Sequence, residues 1–212
     1  MRAACERFNS FRIVRWRRGW RLGRAMVATL WLMVPVAQAS EIVIYSFEGT
    51  IEGWHAPDWA QGSSDYVLKE MSVSSDAVED GASSLKLWVE FPGDRWTGAY
   101  VERQVEVTDW TPFGRLLVGV YVPPGAPAGL RGKIILTVGD TWTWTEMNRP
   151  VALTPGAWTT IAVNLKPGSM DWKFFPDESF RKAVDKIGVR IEAAQGVQYS
   201  GSVFIDHIRL AE

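Results

Sequence analysis

From Glu41 onward the chain is divided into short stretches rich in β-branched and aromatic residues, set off by glycine, proline and aspartate clusters at intervals of roughly 8–15 residues. The clearest stretch is Leu85 to Phe91, in which Leu85, Leu87, Val89 and Phe91 alternate with Lys86, Trp88 and Glu90. Side chains on a strand point to opposite faces in turn, so this pattern predicts a half-buried antiparallel strand. Similar runs are predicted as strands over 41–48, 67–74, 100–107, 116–122, 133–138, 158–165, 187–193 and 202–210. In the fourth-strand region Arg103 interrupts the apolar face made by Val101, Val105 and Val107, which places that face near a sheet edge. The only helical candidate is Asp177 to Asp185, with an acidic first turn. About ten strands and one short helix predict an all-β antiparallel sandwich. The chain shows no internal repeat, and the proline-rich loop over 123–129 is too short for an interdomain linker.

The first 39 residues read differently. Eight arginines, among them Arg17 and Arg18, precede the apolar run Ala25 to Ala37, and Ala37-Gln38-Ala39 is a small-residue cleavage site. This is the pattern of a secretory signal peptide over 1–39, too short in its apolar part for a membrane span, and it leaves a mature domain over 40–212 that is exported to the periplasm or beyond. Of the 23 basic and 24 acidic residues of the whole chain, the leader removes eight arginines and Glu6, leaving 15 against 23. A mature charge near −8 argues against nucleic acid or an anionic membrane as the partner. The single cysteine, Cys5, lies in the leader, so the mature domain has no disulfide.

Nine of the twelve tryptophans belong to residues 40–212, which is many indoles for one core to bury with every N–H paired. The densest stretch is Lys133 to Met147, where Trp142 and Trp144 alternate with Thr141, Thr143 and Thr145 after the Gly139-Asp140 turn. On a strand both rings would share one face about 7 Å apart. Such a pair serves either as core or as a stacking shelf for a flat apolar surface such as a sugar ring. The loop from Gly49 to Trp59 adds Trp54, His55, Asp58 and Trp59 in a glycine-rich polar setting typical of binding loops.

Several motifs occur in a particular order. Phe47-Glu48-Gly49 followed by Gly53-Trp54, the turn Glu79-Asp80-Gly81-Ala82-Ser83-Ser84-Leu85, Gly156-Ala157-Trp158 before a strand, and the closing Val203-Phe204-Ile205-Asp206-His207-Ile208 run together resemble the galactose-binding-like jelly rolls of carbohydrate-binding modules over nearly all of residues 41–210. The nearest likeness is to the mannan-binding modules of bacterial mannanases, family 27 and its relatives. That resemblance implies a Greek-key β-sandwich that grips a β-linked polysaccharide, with Trp59, Trp96 and Trp142 or Trp144 in matching places. It also implies a structural calcium ion tying the first strand to the last through Glu48 and Asp206, with the Glu79–Ser84 turn and Asp80 contributing.

A pyranose offers apolar C–H faces and a hydroxyl edge, which suit indoles and polar groups respectively. The candidate carbohydrate-binding set is therefore Trp54, Trp59, Trp96, Trp142 and Trp144, with Arg95 and Glu146 for hydroxyls and Asp58, Asp140 and Asn148 nearby. The candidate metal ligands are Glu48, Asp80 and Asp206. Catalytic signals are weak: His55 and His207 form no metal-binding pair, and no strand carries two carboxylates at glycosidase spacing. The leading expectation is a secreted, non-catalytic carbohydrate-binding protein, with mannan-type glycans favoured. The alternatives are a polysaccharide lyase or glycoside hydrolase on the same sandwich, and an envelope protein whose aromatic face binds another protein.

Overall fold

The computed structural model describes residues 40–174 and 177–212, so the leader expected over residues 1–39 lies outside the described residues. Two antiparallel sheets form a sandwich, as the alternating stretches predict. The strands are β1 Glu41–Tyr45, β2 Leu68–Ser74, β3 Ser84–Pro92, β4 Thr97–Gln104, β5 Arg115–Tyr121, β6 Leu130–Val138, β7 Thr143–Glu146, β8 Val151–Ala152, β9 Trp158–Asn164, β10 Val184–Ala193 and β11 Gln198–Ala211. One sheet runs β2-β3-β11-β5-β9 with β1 joining the far end of β11; the other runs β4-β10-β6-β7 with β8 beside β6. Strand β4 is an edge, in keeping with the position of Arg103.

The core lies between the sheets. Leu85, Leu87, Val89, Val118, Val120, Val203 and Ile205 from one sheet meet Ile134, Leu136, Ile187, Val189 and Ile191 from the other, all fully buried. Trp110 and Trp172 are buried with them. Two short helices sit outside the strands: α1 Asp58–Gln61 and α2 Glu178–Lys182. The second begins one residue after Asp177, whose side chain caps it by accepting the Phe180 N–H at 2.7 Å. The first is not legible from periodicity, because four residues carry none.

Strand β11 carries the main irregularity. It pairs with β3 through Ile205 and with β1 from Ile208, and its register against β5 shifts between Asp206 and Arg209. His207 takes a φ of 50° at this bulge. A bulge re-aims a side chain, and here it turns Asp206 under the Glu79–Ser83 turn.

Among the described residues no helix is long and apolar enough to cross a membrane.

Candidate functional site

The outward face of the five-stranded sheet is the unusual surface of the molecule. The pairing places Tyr100, Arg190 and Lys133 in one cross-strand row; Glu102, Gly188, Ile135 and Glu146 in the next; and Gln104, Lys186, Thr137 and Trp144 in a third. Two flanking segments widen this floor. His55 pairs with Glu102 beyond β4, through backbone hydrogen bonds of 3.0 and 2.9 Å. On the other side the Lys173 N–H donates to the Glu146 carbonyl beyond β7.

A face this polar is normally solvated, yet Tyr100, Glu102, Lys133, Glu146 and Glu192 are nearly inaccessible. Buried charges must be paired, and these are. Glu146 accepts from Lys133 at 2.9 Å, from Lys173, and from Arg190 at 2.8 Å, so both of its oxygens are engaged. Arg190 also donates to Glu192 at 2.9 Å, which Arg131 approaches at 3.9 Å. Glu102 accepts from the Tyr100 hydroxyl at 2.9 Å and from Lys186 at 3.0 Å, with His55 at 4.0 Å. Burial alone would raise the Glu146 pKa, but Lys173, Lys133 and Arg190 outweigh it and hold the group at about 2. Burial, reinforced by the Glu102 carboxylate, pushes the Tyr100 phenol far above its ordinary value.

Two glycines make the floor possible. A Cβ at Gly188 would lie 2.3 Å from the Tyr100 hydroxyl, so Tyr100 lies across β10 only because that position is bare. At Gly98 a Cβ would press on the Arg190 stem at 3.0 Å.

Four exposed tryptophans border this floor. Trp59, on α1, packs against Tyr100 with ring centroids 5.3 Å apart. Trp96, just before β4, has the Arg190 guanidinium 5.5 Å from its ring centre. Trp142 has the Lys186 ammonium at 5.6 Å. Trp144 rises from β7, and its indole approaches the Tyr100 hydroxyl. They are 44–64% exposed, far beyond the nearly closed floor between them.

The structure sorts the residues singled out in the sequence. Trp59, Trp96, Trp142 and Trp144 converge on one face. Trp142 reaches it by a different route from the strand alternation expected: it lies in the β6–β7 turn with φ 55°, an uncommon conformation for a bulky residue, and Lys186 covers its ring from the floor. Trp54 is a correction. It is 0% exposed, edge-on to Tyr45 at 5.4 Å and against Phe47 at 5.9 Å, so it presents no face to a ligand. The turns at Gly49 and Gly53, both with positive φ, fold the chain back before Trp54, and the indole packs inward against Tyr45 and Phe47. Glu146 is central but saturated with cations, so it orients them instead of meeting a hydroxyl. Arg95 binds Asp65 at 2.8 Å and Asp94 at 3.1 Å, tying the loop after Trp59 to the turn before Trp96. Asn148 donates to the Met170 and Trp172 carbonyls and anchors the 170–173 segment.

Tyr100, Lys133, Arg190, Glu192, Lys173 and Lys186 do not stand out in the sequence. The alternation in β4 and β10 is visible there, but polar residues on the outer face of a strand look solvated until the strands are assembled.

The candidate metal ligands do not gather as expected. Among the described residues no three acids or histidines converge as a metal site. Glu48 accepts the Ala82 N–H at 3.0 Å and fills the space above Gly81. Asp80 is exposed, and Asp206 accepts backbone N–H groups of Glu79, Asp80 and His207 at 2.9, 3.2 and 2.7 Å. Instead, Glu79 lies beside Asp206 over Gly119, and its Oε2 is buried without a partner. Burial raises the pKa of both carboxyl groups; for Glu79 the nearby Arg209 and His207 offset this in part, and Asp206 adds to it. An orphaned buried carboxylate oxygen next to a second carboxylate fits a cation; Asp80 does not join that pair.

No family model matches the chain and no curated protein matches it. Solved structures do. The architecture is that of the β-sandwich carbohydrate-binding modules, which is the fold the sequence motifs resemble. A family 27 module from Caldicellulosiruptor saccharolyticus, in complex with mannohexaose, matches with a TM-score of 0.56 at 22% identity over 82% of this chain and 97% of its own. A family 28 module specific for non-crystalline cellulose matches with a TM-score of 0.56 at 16% identity, over 80% and 94%. The family 11 module of a Clostridium thermocellum cellulosomal cellulase gives 0.51 at 14% identity, over 82% and 95%.

Proposed function

We propose that this chain is a secreted, non-catalytic carbohydrate-binding protein that lays a β-linked polysaccharide across the outer face of the five-stranded sheet. The observation that carries this reading is the convergence of Trp59, Trp96, Trp142 and Trp144 on one rigid, hydrogen-bonded floor. Exposed aromatics of this number are costly to a soluble domain unless a ligand covers them. Rings packed against Tyr100, Arg190 and Lys186 of the floor bind with little loss of side-chain freedom, which favours recognition of repeating sugar faces. The mannohexaose of the family 27 module makes mannan-type chains the first candidate.

Two features speak against chemistry at this face. Glu146 remains ionised down to about pH 2, so it cannot serve as a proton donor near neutrality. Tyr100 is held in its protonated form and is no base. A calcium ion held by Glu79 and Asp206, tying the 79–83 turn to the last strand, is the structural role a cation would fill. It lies on the other sheet, away from these four tryptophans.

The test is calorimetric titration with soluble mannan, glucan, xylan and galactan oligosaccharides, alongside the Trp142→Ala/Trp144→Ala variant. Binding to one glycan class that the folded double variant loses supports the reading. Silence from all of them, and from uronate-containing oligosaccharides, with folded protein rejects it and turns attention to a protein partner.

A further inference from the structure

The floor is not electrically neutral. On its β6–β7 side four cations, Arg131, Lys133, Lys173 and Arg190, share only two carboxylates, Glu146 and Glu192. The remaining pair on the β4 side, Glu102 with Lys186, balances itself. The excess of two positive charges therefore sits in one quadrant of a protein whose residues 40–212 carry a net charge near −8.

The arrangement also decides which sign faces outward. The side chains of Glu146 and Glu192 are each 6% exposed, whereas those of Lys173 and Arg131 are 52% and 36% exposed. The carboxylates lie beneath and the cations stand above them: Lys173 on Glu146, two residues along β7 from Trp144, Arg190 against Trp96, and Arg131 on Glu192 toward the far end of β6. Of the rim acids, Asp140 lies in the β6–β7 turn at the opposite end of β6 from Arg131 and Asp58 on α1 beyond the β4 edge, while Asp65 and Asp94 beside Trp96 are both engaged by Arg95, at 2.8 and 3.1 Å. A neutral glycan needs hydroxyl partners, and asparagine or glutamine would supply them without the cost of holding extra buried charge. Surplus, partly exposed cations beside a stacking face suit an anionic ring substituent.

We infer that the glycan taken by this face carries carboxylates, as a β-linked chain with uronate residues does, and that one uronate group sits over Lys173 and another over Arg131 while neighbouring rings stack on Trp144 and Trp96. The inference rests on the carbohydrate-binding reading above and narrows it to acidic chains.

A matched pair of probes tests it: β-1,4-linked mannohexaose and the β-1,4-linked mannuronate hexamer, which differ only in the oxidation of C6 to a carboxylate. In calorimetric titrations of the purified protein at about 20 mM salt, the acidic hexamer binds about tenfold or more tighter. The preference shrinks toward unity at about 300 mM salt, where the Debye length falls below the reach of these side chains. The Arg131→Gln/Lys173→Gln variant loses the preference, while Lys69→Gln, on the other sheet, keeps it. Equal or weaker binding of the acidic hexamer at low salt, or a preference unchanged in Arg131→Gln/Lys173→Gln, overturns the inference alone, because neutral chains still bind. No binding of either hexamer or of any neutral glycan overturns the carbohydrate reading with it.

Discussion

Replacing Glu146 by glutamine removes the one group that holds three cations of the floor in place. In the folded protein its carboxyl titrates at about 2, against an ordinary value of 4.5. Each pH unit between those two values corresponds to about 1.4 kcal/mol, so ionised Glu146 stabilises the fold by about 3 kcal/mol at neutral pH. Its side chain is only 6% exposed, so water screens this contribution little. Because the folded value lies below the unfolded one, the contribution is complete above pH 4.5 and disappears as the pH falls toward 2. Glu146→Gln should therefore unfold about 6–12 °C lower at pH 7, at about 2–4 °C per kcal/mol for a domain of this size. The gap should close as the pH approaches 2. Thermal unfolding followed by circular dichroism from pH 7 to pH 2 measures both. Parallel curves for the two proteins, with a constant offset across the range, would refute the reasoning, because the loss would then owe nothing to the carboxylate's charge.

Other substitutions separate the parts of the molecule. Trp54→Ala opens a cavity beside Tyr45 and Phe47 and should cost about 3–5 kcal/mol in denaturant unfolding, with no selective effect on glycan affinity in the fraction that folds. Trp142→Gly relieves the positive φ while losing the Lys186 contact, so stability should change by less than about 1 kcal/mol as affinity falls; a large loss of stability would mean that Trp142 is a core residue. Trp96→Ala should weaken glycan binding by about five- to tenfold, read by titration, as expected for one lost stacking contact of about 1 kcal/mol. Glu79→Gln removes a carboxyl that burial disfavours and whose Oε2 lacks a partner, so it should raise the melting temperature in chelator and abolish any stabilisation by added calcium. An undiminished calcium response in that variant would exclude Glu79 as a ligand.

Much of this architecture is legible before any coordinates, because a half-buried strand announces itself by alternation. Leu85 to Phe91 and Leu116 to Val122 fall on β3 and β5 almost residue for residue. The edge strand β4 begins earlier than its apolar pattern, at Thr97, since Gly98 and Ala99 carry little signal. Among the tryptophans singled out for the face, Trp59, Trp96, Trp142 and Trp144 are exposed, but Trp54, whose glycine-flanked polar loop looks like a surface, is packed inward. Composition cannot distinguish an indole that a loop displays from one that it folds beneath itself. The charged floor is invisible for another reason. Lys133 and Glu146, Arg190 and Glu192, and Tyr100 and Glu102 become networks only when β6, β7, β10 and β4 lie side by side, so each looks like an isolated solvated residue in its own strand.

The most direct test of the central reading is to watch every indole at once. Residues 40–212 contain nine tryptophans, each of which gives one indole N–H signal in a ¹H–¹⁵N correlation spectrum, assigned by single substitution. On titration with the best-binding β-linked oligosaccharide, the signals of Trp59, Trp96, Trp142 and Trp144 should shift together and saturate at one concentration. Those of the buried Trp54, Trp110 and Trp172, and of Trp88 and Trp158 on the six-stranded sheet, should stay in place. Shifts centred on Trp88 and Trp158, with the other four unmoved, would contradict the account and assign the binding face to the opposite sheet.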